Sequence, residues 1–403
     1  MLSRKVGAIL AVLACATSLV ALPATAASAD SIRDDQQWVL NMMNVPAAWS
    51  LTQGAGVTVA VIDSGVNPNV SDLAGSVRAG SDYTGISTRP SDPDWGVHGT
   101  WMASLIAGHG HSSGDDSGVI GIAPRSTILS IRVIPDRSDP HYGRYSREPE
   151  PSIQDSLARG IDYAVQHGAK VISMSIGYSA PNGAVRQALQ QAFARGVVVV
   201  ASAGNSGAPA GASDGGQAPV SFPADYPGVI SVGAVNAAGA VAVFSSDNLS
   251  VQVAAPGVGV PAQGRDGQYW MVSGTSPACA LVAGVAALIK SKYPDLAPNL
   301  IATALTSTTT NRPARGYDNQ VGFGIADAAA ALAKAGKLAG APPVAPGISA
   351  AARFGGGPAA VAQAPVRPRG SSQLILFVLL ALTSLILIGA AGTRLIILRR
   401  SPR

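Results

Sequence analysis

Apolar runs rich in β-branched residues recur along the body of the chain, at 57–62, 128–134, 170–176, 197–201, 229–235 and 251–254. Few polar residues interrupt them. A strand that is apolar on both faces must be covered on both faces, so these runs predict buried strands. Longer helix-like runs fall between them at 98–108, 152–167, 184–195 and 276–292. Strands alternating with helices predict an α/β domain with a mostly parallel central sheet and helices on both faces. On such sheets ligands bind beyond the carboxyl ends of the strands. Asp63 lies just past the first predicted strand, where a reactive group would sit.

Two apolar stretches stand outside this alternation. The first, 6–22, follows Arg4 and Lys5 and precedes Ala27-Ser28-Ala29. Those are the charged, apolar and small-residue parts of a secretory signal, so residues 1–29 are expected to be removed. A retained anchor fits less well because the run is short. Lipoprotein processing before Cys15 has only a loose motif in Val12-Leu13-Ala14. The second stretch, 374–392, carries no charge. At about 1.5 Å per residue it approaches a bilayer core of roughly 30 Å, and it predicts a transmembrane helix over 373–393. Residues 338–372 are rich in Pro, Ala and Gly and read as an extended linker. The tail 394–403 holds four arginines, which the positive-inside rule assigns to the cytoplasm. The body, 30–337 with an N-terminal extension over 30–50, is then extracellular on a single-pass cell-membrane protein.

Charge supports this layout. The chain has a net charge of +5, yet all 23 acidic residues lie between Asp30 and Asp327. Only 19 of the 28 Lys and Arg lie between Arg33 and Lys337. The body is therefore acidic, and the positive excess sits in the flanks. That distribution points to a lipid bilayer as partner and not to nucleic acid. Removing the signal takes Cys15 and leaves Cys279 alone, so no internal disulfide is available. About 300 residues can supply a sufficient core without one.

Three distant strings carry chemistry: Val59-Ala60-Val61-Ile62-Asp63-Ser64-Gly65, His98-Gly99-Thr100 and Ser273-Gly274-Thr275-Ser276-Pro277-Ala278. They offer a carboxylate, an imidazole and a hydroxyl. A serine hydroxyl is a weak nucleophile until a base takes its proton. Ser276 opens a long apolar helix, where the dipole favours developing negative charge. Alone, it also reads as a helix N-cap. Alone, His98 reads as a helix-start histidine and Asp63 as a strand-end acid. A nucleotide-binding reading of Asp63 lacks its Gly-x-Gly-x-x-Gly. A fourth string, Ser202-Ala203-Gly204-Asn205-Ser206-Gly207, follows a strand; Asn205 is either a turn residue or an oxyanion donor. The segment 108–118, with His109, His111, Asp115 and Asp116, reads as a solvated loop, since its spacing fits no strong zinc pattern. The segment 135–151 reads as a polar insertion at the edge where substrate binds, either mobile or in contact with a substrate or partner.

Together the four strings resemble the signatures of subtilisin-like serine proteases, in that family's order of Asp, His and Ser. The resemblance covers about 38–332 and implies a three-layer subtilisin-like fold. It implies an endopeptidase in which Asp63 orients His98, His98 acts as base and acid, and Ser276 is the nucleophile. It makes Asn205, with the Ser276 amide, the oxyanion hole. It makes Ser175-Ile176-Gly177 the segment that pairs with an extended substrate. Polypeptides are the implied substrates. No cofactor is implied; structural calcium is common in the family, but no acidic loop here is specific enough to assign a site.

The signal, the Gln36-Gln37-Trp38 run, the linker, the single span and the Arg-rich tail resemble the mycosins. Those are membrane-anchored subtilases linked to type VII secretion, which makes that secretion membrane complex an implied partner. The implied role is processing of exported proteins. The alternatives are a structural scaffold with dispensable proteolysis and a general degradative protease at the cell surface. Three departures from the patterns stand out. Mycosins carry disulfides. Most subtilases have a proline where Ala280 stands, four residues after the serine, and here Pro277 follows the serine directly. Cys279, one turn from Ser276, is either a small buried residue or a thiol whose modification blocks the site. Few residues separate the expected cleavage point from the first strand, so no separately folding prodomain is expected, and 30–44 is expected to pack on the body.

Overall fold

The computed structural model describes residues 29–112, 116–145, 151–207 and 218–340. The expected signal segment up to residue 28, the linker beyond 340, the transmembrane span and the basic tail lie outside the described residues.

The chain begins with helices α1 (Ala29–Met42) and α2 (Val45–Trp49), then strands β1 (Thr58–Asp63) and β2 (Val77–Asp82) and helix α3 (Val97–Ala107). A hairpin of β3 (His109–His111) and β4 (Ser117–Ile120) leads to β5 (Thr127–Arg132), a short α4 (Tyr142–Tyr145) and α5 (Pro151–Gln166). Next come β6 (Val171–Met174), α6 (Gly183–Ala194), β7 (Val198–Ser202), β8 (Ile230–Val235) and β9 (Val253–Pro256). The hairpin β10 (Val260–Gln263) and β11 (Tyr269–Val272) precedes α7 (Thr275–Lys292), α8 (Pro298–Ser307) and α9 (Ala328–Ala339).

Seven strands form one parallel sheet in the order β2-β5-β1-β6-β7-β8-β9. Successive side chains of a strand point to opposite faces. In β1, Val59 and Val61 join the core under α3 and α7, whereas Ala60 and Ile62 join the core under α5 and α6. β7 divides in the same way, Val198 and Val200 against Val199 and Ala201. This is the three-layer α/β architecture expected from the uninterrupted apolar runs. All six predicted strands and all four predicted helices appear, displaced by a few residues at their ends.

The pattern did not expose β2, whose sequence VRAGSD is half-exposed and lies at the sheet edge. It also missed the two short hairpins, where pairing depends on partners distant from the main sheet.

α7 is the central helix, with nearly every residue from Thr275 to Lys290 buried. Among the described residues no helix is long and apolar enough to cross a membrane.

The N-terminal extension packs on the body, as expected. In α1 and the residue after it, Ile32, Gln36, Val39, Leu40 and Met43 are buried, one face of a helix at three- and four-residue spacing. Gln36 is wholly buried because its amide acts as a strand edge: Nε2 donates to Ile120 O at 2.7 Å and Oε1 accepts from Ile120 N at 3.0 Å. Arg33 Nε donates to Gly118 O at 2.7 Å. At the far end, Ala328 N donates to Met43 O at 2.8 Å, which ties the extension to α9.

Candidate active site

The carboxyl end of β1 delivers Asp63 into the interior, 1 % exposed. α3 starts across from it and carries His98 in its first turn. The His98 Nδ1 lies 2.8 Å from Asp63 Oδ1 and 3.0 Å from Oδ2. An ionised carboxylate can only accept, so Nδ1 bears the hydrogen and the neutral ring keeps its lone pair on Nε2. Asp63 Oδ1 also accepts from Ser64 N at 2.7 Å.

Burial works to lower the His98 pKa. The charge of Asp63, its hydrogen bond and the charge of Asp136 outweigh that, and the pKa stands above the ordinary histidine value of 6.5.

Glycines set how closely these elements approach. A Cβ on Gly99 would lie 2.1 Å from Gly65 O and 3.3 Å from the Asp63 Cβ. Gly65 has φ +102 and is covered on its other side by the Trp95 ring. The glycine after the histidine thus lets α3 sit against the turn after β1, and this contact brings the imidazole to the carboxylate.

Ser276 lies in the first turn of α7, and α3 packs on α7. No hydrogen bond joins the Ser276 hydroxyl to His98 in this structure. Catalytic hydrogen bonds are often long without substrate and tighten in the complex. Asn205 follows β7 by three residues and is tied to the same helix start. Its Oδ1 accepts from Thr275 N and Thr275 Oγ1, both at 2.9 Å. Thr275 Oγ1 also accepts from Gly204 N at 3.2 Å. With the amide oxygen anchored, Nδ2 is the end left to donate, and it lies beside Gly274. Thr275, passed over in the sequence because it sits inside the serine motif, is what orients Asn205.

Ser175 Oγ donates to Ser276 O at 3.2 Å, so the segment after β6 also reaches the nucleophile helix. Ile176 is buried and Gly177 exposed. Among the described residues, the peptide groups of 175–177 make no backbone hydrogen bond, which leaves them open to an added strand. The chain next to them is already paired, Tyr178 with Phe222.

Cys279 is wholly buried, with Sγ 3.7 Å from Met174 O and 3.8 Å from Ser173 Oγ. Burial pushes its thiol up to about 12. Of its two sequence readings, the small buried residue is the one the structure supports.

The 135–151 segment is tighter than a mobile polar insertion over its described part. Arg132, buried at the end of β5, needs anions. Its Nη1 reaches Asp82 at 2.8 Å and its Nη2 reaches Asp139 at 3.1 Å. Burial opposes the Asp139 charge, yet hydrogen bonds from Thr88 and His141 and the Arg132 charge hold its pKa below the usual carboxylate value. Residues 146–150 lie outside the described residues.

In the 108–118 segment, His111 Nδ1 pairs with the buried Asp72 at 2.6 Å. Among the described residues no group of three or more His, Cys, Asp or Glu is placed to hold a metal ion.

The subtilase family profile matches residues 54–324. Subtilisin DY of Bacillus licheniformis is 38% identical over 259 residues, 64% of this chain and 85% of that protein. Two solved structures are similar over 73% of this chain. MycP1 from Mycobacterium smegmatis has 31% identity, 84% of its chain covered and a TM-score of 0.60. The MycP3 protease from the type VII (ESX-3) secretion system has 33% identity, 87% covered and a TM-score of 0.61.

Proposed function

This chain belongs to the subtilase family of serine proteases, and from that premise we propose a membrane-anchored extracellular endopeptidase that cleaves exported proteins through an acyl-enzyme on Ser276. The observation that carries the reading is the His98 imidazole held by the buried Asp63 carboxylate. In the proposed reaction Nε2 of His98 takes the Ser276 proton as the hydroxyl attacks the scissile carbonyl. The oxyanion is received by Asn205 Nδ2 and the Ser276 amide. His98 then returns the proton to the leaving amine, and water repeats the sequence on the ester. The peptide groups of Ser175–Gly177 bind the substrate as an added strand.

The likeness to MycP1 and MycP3 supports a place beside a type VII secretion complex. The apolar runs at 6–22 and 374–392 support export and anchoring. A membrane-impermeant fluorophosphonate applied to intact cells tests the reading. Labelling of the wild-type chain, lost in Ser276→Ala, is expected. Absence of labelling on a folded, surface-exposed chain rejects it. If secretion survives Ser276→Ala but fails on loss of the whole chain, the scaffold role is the essential one.

A further inference from the structure

The first turn of a helix has amide donors with no partner inside the helix. In α3 the N-cap is Gly96, in the left-handed region with no side chain to accept them. Those donors are met from elsewhere in the chain. Gly99 N donates to Ser64 Oγ at 3.1 Å. Val97 N donates to Asp136 Oδ2 at 2.7 Å and His98 N to Asp136 Oδ1 at 2.8 Å. Both oxygens of one carboxylate thus clamp the backbone of the histidine and of the residue before it.

Asp136 is 6 % exposed, and among the described residues no ion pair neutralises it. Burial pushes its carboxyl above the ordinary carboxylate value, and the amides of His98 and Val97 and the charge of His98 work against that. The clamp is fixed in turn by its own segment: Asp139 N donates to Asp136 O at 3.1 Å, and Asp139 is held by Arg132.

We propose that Asp136 is a positioning residue for the base, a second carboxylate that fixes the His98 backbone and favours the protonated imidazole. The proposal rests on the reading of His98 as the base. The charged groups acting on His98 are Asp63 from β1 and Asp136 and Arg137 from the segment after β5. Asp63 and Asp136 act in one direction and Arg137 in the other.

The test is a titration of the full chain carrying Ser276→Ala, which prevents self-cleavage. Histidine is labelled with carbon-13, and the resonance of His98 among the five histidines is assigned with His98→Gln. With Asp136→Asn the His98 midpoint is expected to fall, because a negative charge facing the imidazole is removed. With Arg137→Gln, an exposed change, it is expected to rise. In the active chain, Asp136→Asn should move the acidic limb of kcat/KM downward and reduce the plateau by about tenfold. Asp136→Glu should restore part of both.

A His98 midpoint in Asp136→Asn equal to the wild type overturns the proposal, even if activity falls, because a merely structural cap would lower activity without moving the midpoint. If Asp136→Asn does not fold, Asp136→Ser carries the same expectation and the same refutation. A full chain that no fluorophosphonate labels defeats the protease reading, while the titration still decides the Asp136 clamp.

Discussion

Gly99→Ala is the sharpest single test of how this site is built. The added carbon would stand 2.1 Å from Gly65 O, where ordinary van der Waals contact begins at 3.4 Å. About 1 Å of movement is required, and neither side can give it cheaply. Gly65 is wedged under the Trp95 ring, and a carbon placed on Gly65 would lie 2.6 Å from that ring. The helix on the other side is clamped by Asp136 and Ser64. Overpacking of this kind costs about 1–3 kcal/mol. Displacing Gly99 also strains its bond to Ser64, worth about 1 kcal/mol. The expected loss is therefore about 2–4 kcal/mol, read as a lower urea midpoint at unchanged slope in a Ser276→Ala background. In the active chain the same shift separates His98 from Asp63, and a misplacement of about 1 Å costs about 100-fold in kcat/KM. A Gly99→Ala chain with wild-type midpoint and wild-type kcat/KM on a peptide ester would refute the claim that this contact sets the pair.

Five further outcomes follow from the structure. Because the His98 pKa is raised, kcat/KM should climb through an acidic limb centred above 6.5; a limb below that value contradicts the Asp63 and Asp136 fields. The same shift implies stability that is full below pH 6.5 and lost as pH rises through the raised pKa, visible in urea midpoints of Ser276→Ala against Ser276→Ala with His98→Gln. Asn205→Leu should lower kcat by about 10²–10³, a magnitude that comes from a subtilisin and not from this structure; wild-type kcat would remove Asn205 from the oxyanion role. The Cys279 thiol, buried and pushed up to about 12, should resist a disulfide reagent in the native chain and react on unfolding; rapid native labelling would contradict its burial. Arg132→Met leaves Asp139 buried without its cation and should cost about 3–5 kcal/mol by urea denaturation; an unchanged midpoint would show that the network is not structural.

Much of the fold was legible because its strands are covered on both faces. Burial on both sides demands apolar residues at every position, and a run such as Val197–Val200 has no other economical reading. β2 was illegible for the opposite reason: an edge strand with half-exposed side chains is under no such demand. The chain order Asp63, His98, Ser276 named the chemistry, since a reactive group needs a particular side chain and a particular local turn.

What surrounds those groups came only from the tertiary structure. Asp136 looks in the sequence like one acid in a charged insertion, because nothing local marks a carboxylate whose donors lie 38 and 39 residues away. Gln36 looks like a polar helix residue until the edge of β4 is placed beside it. Arg132 looks like a strand-end cation until Asp82 and Asp139 close around it. The sequence by itself determined which groups can react and which segments must be buried, since both follow from side-chain chemistry and its period. The tertiary structure decided which donors meet which acceptors across the chain, because those pairings depend on distances that only packing sets.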